Sequence, residues 1–326
     1  MAATNIETRQ TASVQAVEEV AEGIQRIELR PSLPVVAAPG SHLDVMVTIG
    51  AERHRRSYSI VDSSASGDLL AISVMRAPQS RGGSLFMHAL RAGEVLEVTQ
   101  PLQNFPLRVG AKKYVVLAGG VGITALVGMG SVLARLGADY RFVYVARSRR
   151  AMAYLDRLRG IHGDRLDVHI DDEGTSLDVA AFIDGLDEST ELYMCGPIRL
   201  MDAVRRRWQG RGLDATRLRY ETFGNSGWFA PENFTVRIPR LGVEALVPSG
   251  RSMLEVLEDE GVDMMFDCRK GECGLCEVRV LELEGSIDHR DVFYSDRQKE
   301  ARAKMSCCVS RVVGGEGGTA TVTIDV

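Results

Sequence analysis

Cys268-Arg269-Lys270-Gly271-Glu272-Cys273-Gly274-Leu275-Cys276 spaces three cysteines as C-x4-C-x2-C, and two more stand far downstream at Cys307 and Cys308. That spacing is the ligand pattern of plant-type [2Fe–2S] centres, whereas structural zinc more often uses paired C-x2-C units. Gly271 and Gly274 interleave the ligands, as a backbone wrapping tightly enough to aim its N–H groups at sulfur requires. A zinc site and a plain thiol cluster are the competing readings of the same residues.

Working outward, Phe234 to Ile238 and Val243 to Val247 read as strands, and Ser252 to Asp259 as a short helix with Met253, Val256 and Leu257 on its apolar face. Gly261 stops that helix, and Thr319 to Asp325 alternates as a closing strand. Upstream, the Gly-Asn-Ser-Gly-Trp-Phe-Ala-Pro stretch after Phe223 reads as a linker. Before it, Tyr114 to Ala118 is a continuous apolar run, as in a buried parallel strand, and feeds a glycine loop. Further strands are expected at 141–145, 166–170 and 191–194, with a helix over Pro197 to Trp208 presenting Leu200, Val204 and Trp208. This is an α/β unit with a parallel sheet. From Val14 to Leu107 the pattern is short alternating runs (Ile24 to Leu29, His42 to Thr48, Ser57 to Val61, Leu69 to Met75, Glu94 to Thr99) between Gly and Pro turns, which predicts an antiparallel β-barrel. The expected organisation is a barrel over 1–109, an α/β domain over 110–225, a linker over 226–234 and a cysteine-bearing domain over 235–326.

The chain has 326 residues, 45% hydrophobic and 25% charged, enough for two or three ordinary domains. Its 39 Lys and Arg against 44 Asp and Glu leave a net charge of −5, which argues against a polyanion-binding protein and against nucleic acid as a partner. No apolar stretch suits a signal peptide or a membrane span, so a cytoplasmic protein without membrane association is expected. Five of six cysteines in one ligand pattern also suit a reducing compartment.

Other constellations carry chemistry. Gly120, Gly122 and Ala125 match G-x-G-x-x-A between a strand and a helix, where a pyrophosphate can meet the backbone at a positive helix end. Thr124 could add a hydroxyl there, and a tight turn without ligand is the alternative. The next strand ends in Ala146-Arg147-Ser148-Arg149-Arg150 without a ribose-reading carboxylate, a hint of NADPH that a solvated helix start explains equally. Asp171 and Asp172 could supply a ribose partner, so charge leaves the choice of nucleotide open. Cys195-Gly196-Pro197 ends a strand where open α/β sheets place ligands; a buried small thiol and a wall beside a nicotinamide are equal readings. Arg56-Ser57-Tyr58-Ser59 puts a cation and an aromatic on one strand face, as a flavin needs, or forms an exposed half-polar strand. Arg81-Gly82-Gly83-Ser84 offers phosphate donors or an ordinary turn. A Rieske centre in this chain is disfavoured because no Cys-x-His element occurs.

In this order, R-x-Y-S, R-G-G-S, Asn104-Phe105-Pro106-Leu107, G-G-V-G-I-T, C-G-P and the cysteine loop make the chain resemble the phthalate dioxygenase reductase family, over nearly its whole length. Asp288-His289-Arg290-Asp291-Val292-Phe293 and Cys308-Val309-Ser310-Arg311 resemble that family's C-terminal signature. The resemblance implies an FMN-binding barrel, an NADH-binding α/β domain and a β-grasp ferredoxin domain that pass electrons to a separate terminal Rieske non-haem iron oxygenase; a monomeric chain is expected. It implies FMN contacts from Arg56, Tyr58, Ser59, Ser73, Val74, Gly82, Gly83 and Ser84. It places NADH on Gly119, Gly120, Gly122, Ile123 and Thr124, with Cys195, Gly196 and Pro197 near the nicotinamide, and Arg147 at the end of the second strand is a further candidate nucleotide contact. Phe223 would lie beside the flavin, so that Thr124, Cys195 and Phe223 flank the reacting rings. Nicotinamide gives an electron pair and the cluster accepts single electrons, which is why a flavin stands between them. An FAD- and NADPH-dependent ferredoxin-type reductase and a zinc-binding redox sensor are the alternatives.

Two departures from the family pattern stand out. Leu-Glu-Leu-Glu-Gly replaces the usual Leu-Glu-Gly, so 31 residues separate Cys276 from Cys308 and the fourth ligand lies between Cys307 and Cys308. Cys308 is expected beside Cys268, Cys273 and Cys276, because Val-Ser-Arg follows it in the family manner. Gln103 stands where relatives often carry Arg.

Overall fold

The structure is a computed structural model that describes residues 7–77, 82–223, 227–314 and 320–326. Arg81, Ser226 and Thr319, which the sequence reading placed in a phosphate loop, a linker and the last strand, lie outside the described residues.

The first sheet contains β1 (Arg9–Ala21), β2 (Ile24–Pro31), β3 (Ser41–Ile49), β4 (Glu52–Ser63), β5 (Leu70–Met75), β6 (Val95–Thr99) and β7 (Leu102–Gln103), with helix α1 (Gly83–Ala89) inserted before β6. Its order is β4-β5-β2-β1-β6-β3-β7, and β4 also pairs with β3, so six antiparallel strands close into a barrel with β7 as an appendage. Closure removes the free edges that an open sheet of this size would expose. Ile27, Leu29, Leu43, Val45, Val47 and Ile72 fill it, and each is fully buried. β1 escaped the sequence reading because its register slips between Val14 and Ala16 and again between Glu19 and Ala21, which breaks the alternation that identifies a strand.

The second sheet is parallel, in the order β10-β9-β8-β11-β12, from β8 (Lys113–Gly119), β9 (Tyr140–Ala146), β10 (Leu166–Ile170), β11 (Thr190–Cys195) and β12 (Leu218–Glu221). Helices α2 (Ile123–Arg135), α3 (Leu155–His162), α4 (Val179–Asp184) and α5 (Ile198–Gly210) connect the strands. β8 is buried from Tyr114 to Gly119, as its unbroken apolar run requires. On α5 the buried stripe is Ile198, Met201, Val204 and Trp208, with Leu200 only half-buried at its margin. Barrel and parallel sheet belong to one compact unit, Met1–Gly196 with Ala203–Glu221; Pro197–Asp202 and Thr222–Val326 form the other.

In the second unit the mixed sheet runs β14-β13-β19-β15-β17, from β13 (Phe234–Ile238), β14 (Val243–Val247), β15 (Glu277–Glu284), β17 (Lys304–Ser306) and β19 (Ala320–Asp325). A small ladder joins β16 (Ser286–Asp288) to β18 (Arg311–Val313), and α6 (Met253–Asp259) and α7 (Asp296–Ala301) complete the module. Ser252 caps α6 in a reciprocal capping box with Glu255, a device worth about 1 kcal/mol. Phe234, Val236, Met253, Leu257, Met305, Val322 and Ile324 form its apolar core together with Cys276, Cys307 and Cys308. Among the described residues no helix is long and apolar enough to cross a membrane.

His162 illustrates the packing of the first unit. It is buried, stacks on Phe142 at 4.8 Å and lies 2.8 Å from the Tyr140 hydroxyl through Nδ1. Burial, helped by Arg165, lowers its pKa from the ordinary 6.5 to about 4. The unfolded chain therefore takes up the proton first, and this contribution is full above pH 6.5 and drains away down to about pH 4. His162→Gln is expected to remove ~3 kcal/mol of that acid-side loss, seen as a flatter dependence of melting temperature on pH than in the wild type.

Candidate functional site

In the barrel, Arg56 and Tyr58 stand opposite Val45 and Leu43 across the β3–β4 ladder, so they share the face that points into the core. Both are half-buried, with Tyr58 packed against the core. A side chain at Gly83 would sit 3.2 Å from Arg56 Cγ and Nε, so the start of α1 rests on the arginine stem. Gly82 takes a φ of +88°, and a Cβ there would lie 2.5 Å from Ile49 Cγ2. The turn thus depends on glycine twice, for its handedness and for its closeness. Ser84 Oγ accepts from the Ala77 N–H at 3.2 Å. A guanidinium beside main-chain donors at a helix start suits the phosphate of a flavin nucleotide.

The other expected flavin contacts are placed differently. Ser59 is buried and donates to Glu221 Oε2 at 3.2 Å, a partner the sequence reading missed because β12 carries almost no apolar signal. The Ser73 hydroxyl is 2.5 Å from that of Tyr154, at the start of α3. Val74 is buried and its carbonyl is bound by His88 Nε2 at 2.9 Å. Gln103 turns inward, accepting from Ser41 Oγ at 3.2 Å and donating to Pro39 O at 3.0 Å.

In the parallel sheet Gly119 ends β8, Gly120 to Gly122 form a single 3₁₀ turn and Ile123 opens α2. A Cβ on Gly122 would fall 2.2 Å from Cys195 O and 2.8 Å from Gly196 N. Two segments far apart in sequence are therefore in main-chain contact at the C-terminal edge of the sheet, where such folds bind ligands. Cys195 is buried, Gly196 half-buried, and the exposed Pro197 precedes α5. Thr124 donates its hydroxyl to Val121 O at 3.0 Å, within its own turn. Arg147 is exposed after β9. Arg149 is paired in bidentate fashion with Glu173, with Asp171 and Asp172 close by in sequence.

Phe223 is half-buried and belongs to the second unit. Its neighbour Thr222 bonds Glu272 and Lys270 of the cysteine loop. Within that loop the N–H groups of Lys270 and Glu272 each lie 3.4 Å from Cys268 Sγ. Arg269 adopts a left-handed φ of 51°; its guanidinium is gripped by Glu258 and covers the Phe266 ring at 4.0 Å.

The thiols gather in two sets. Cys268 interacts with Cys273, and Cys276 with both Cys307 and Cys308. The two downstream thiols favour the Cys276 thiolate and bring its pKa down to about 3, while beside it their own are pushed up. Cys308 is also within electrostatic reach of Cys268, and Cys307 of Glu258. Cys268 beside Cys273 and Cys276 beside the downstream thiols supply sulfur pairs of the kind each metal of a two-iron centre takes.

The downstream signature works as a scaffold. Asp288 pairs with Arg290 at 2.7 Å and accepts from the Trp228 N–H at 2.9 Å; both charged groups are buried. Burial pushes the Asp291 pKa up, but hydrogen bonds from His289 and from the Tyr294 N–H outweigh it and hold the carboxyl ionised. Arg311 binds the carbonyls of Arg251, Glu232 and Pro248.

Barrel, parallel dinucleotide-type sheet and thiolate-bearing β-grasp module together define a reductase fused to a ferredoxin. The family model for a 2Fe-2S iron-sulfur cluster binding domain matches residues 236–313. The phenoxybenzoate dioxygenase subunit beta of Ectopseudomonas oleovorans is 36% identical over 320 residues, 96% of each chain. The heme-dependent oxidative N-demethylase beta subunit of Ectopseudomonas mendocina is 32% identical, covering 92% of this chain and 95% of its own. A solved phthalate dioxygenase reductase, described as a modular structure for electron transfer from pyridine nucleotides to [2Fe-2S], aligns with a TM-score of 0.72 and 30% identity over 99% of this chain and 98% of its own. The chain belongs to the phthalate dioxygenase reductase family.

The environments of the two downstream thiols predict different outcomes on substitution. Cys308→Ser is expected to abolish visible iron–sulfur absorption and Cys307→Ser to retain it, read from spectra and iron content. The reverse result would assign the fourth ligand to Cys307.

Proposed function

We propose that this chain is the reductase component of an oxygenase system, drawing electrons from NADH and delivering them singly to a separate terminal oxygenase. The observation that carries the proposal is the two-set arrangement of thiols at the end of a chain that also bears a flavin-type barrel and a dinucleotide loop. Bound FMN and a [2Fe–2S] cluster supply the conversion of an electron pair into single electrons. Arg56 and the amides of Gly83 and Ser84 bind the FMN phosphate, with Tyr58 and Ser59 along the same strand, and Ser73, Val74 and Gly82 bordering the site. Gly119, Gly120, Gly122, Ile123 and Thr124 receive the dinucleotide, with Arg147 at its ribose end and Cys195, Gly196 and Pro197 beside the nicotinamide. Cys268, Cys273, Cys276 and Cys308 hold the cluster, and Phe223 shields the flavin. The chain works as a monomer with its barrel over 1–109, nucleotide domain over 110–225, linker over 226–234 and ferredoxin domain over 235–326.

NADH is favoured over NADPH by the charges after β9 and β10. The arginines at 147, 149 and 150 face a sequence neighbourhood of Asp171, Asp172 and Glu173, and Glu173 already occupies Arg149. A 2′-phosphate would have to displace that pair. The partner is proposed to be a Rieske non-haem iron oxygenase, although one relative is named for a heme-dependent system.

Purified protein is expected to contain FMN and two iron atoms per chain, and to reduce an artificial acceptor at least about tenfold better with NADH than with NADPH, a difference of ~1.4 kcal/mol. Colourless protein, or extracted FAD with NADPH preference, would overturn the cofactor assignment. Turnover only with a haem oxygenase would overturn the Rieske partner.

A further inference from the structure

Two of the amides that face the Cys268 sulfur, those of Lys270 and Glu272, belong to residues tethered by Thr222. Lys270 and Glu272 each present an N–H at 3.4 Å from Sγ. Thr222, only 3% exposed, reaches both residues. Its hydroxyl lies 2.6 Å from Lys270 O and 2.8 Å from Glu272 Oε1, and its own N–H donates to the same carboxylate oxygen at 2.6 Å. One side chain thus ties down the main chain of Lys270 and the side chain of Glu272, on either side of the left-handed wrap that aims both amides at sulfur.

We propose that Thr222 is a positioning residue for the iron–sulfur centre: by clamping Lys270 and Glu272 it keeps their N–H groups on the Cys268 sulfur and so raises the centre's reduction potential. This rests on the cluster reading above, with Cys268 as a ligand. Amide dipoles aimed at a ligand sulfur favour the added electron, and potentials of such centres are tuned by hydrogen bonds to sulfur. The clamp is needed because the loop has reason to relax: Arg269, immediately before Lys270, is a non-glycine residue at φ 51°, a conformation that persists only when its surroundings enforce it. Glu258 and Phe266 hold the Arg269 side chain, whereas Thr222 holds the flanking chain that carries the amides.

The test is a redox titration with EPR spectroscopy on the full-length holoprotein and its Thr222→Ala, Thr222→Val and Thr222→Ser variants, each with iron content measured. Removal of the hydroxyl in the Ala and Val variants is expected to lower the midpoint potential and shift the EPR g-values at wild-type iron content, and Thr222→Ser to restore both. The Val variant keeps the side-chain volume, so it carries the comparison if the Ala variant loses its cluster. Wild-type potential and spectrum in an iron-replete Ala or Val variant would overturn the proposal, as would a Ser variant displaced as far as Ala. Wild-type protein without iron or visible absorption would instead sink the cluster reading itself.

Discussion

Thiolates placed against an apolar core are tenable only if their charge is answered, and the C-terminal module is built around that constraint. Cys276, Cys307 and Cys308 sit among Phe234, Leu257 and Val322, so the sulfur site and the hydrophobic core are one body. The donors come from two segments, 268–276 and 307–308, that only tertiary structure can bring together. A main-chain bond ties them directly, from Cys307 N–H to Cys276 O at 3.1 Å, and Leu254 N–H of α6 donates to Cys307 O at 3.0 Å. Buried charge completes the frame: Asp288 with Arg290 and Asp291 with His289 fix the chain between the two segments, and Arg311 with three carbonyls anchors the chain after the second. Each of these polar groups is costly to bury alone and stable only in its full set of bonds.

The first unit depends on close main-chain approach at two of its glycines. A flavin phosphate and a dinucleotide are both approached by backbone N–H groups, and that approach is possible only where no Cβ intervenes. Gly83 lets the start of α1 lie on the Arg56 stem, and Gly122 lets the first turn of the dinucleotide loop meet the end of β11. Substitution at either position would force backbone or a packed side chain to move, which is why small changes there reach well beyond the loop itself. Gln103 bridges Ser41 and Pro39 through its side-chain amide.

Much of this was legible in the sequence, for reasons that differ by element. β8 announced itself because a parallel strand covered on both faces is apolar throughout, and α6 because Ser252 and Glu255 write a capping box before an apolar face. β1 and β12 did not: bulges scramble the first, and the second keeps a polar sequence with Glu221 as its buried residue. Serine positions were similarly ambiguous. The hydroxyls of Ser59, Ser73 and Ser84, expected as flavin contacts, are engaged by Glu221, Tyr154 and the Ala77 amide, partners that no local pattern reveals.

By itself, then, the sequence determined the order of modules and the chemistry each can support, since thiol spacing, glycine loops and hydrophobic period are local properties of a chain. Tertiary structure alone decided which groups meet: Gly122 with Cys195, Arg56 with Gly83, Cys276 with Cys307 and Cys308, and Thr222 with the cysteine loop. The physical reason is that packing and hydrogen bonding act through space at separations along the chain that spacing rules do not span.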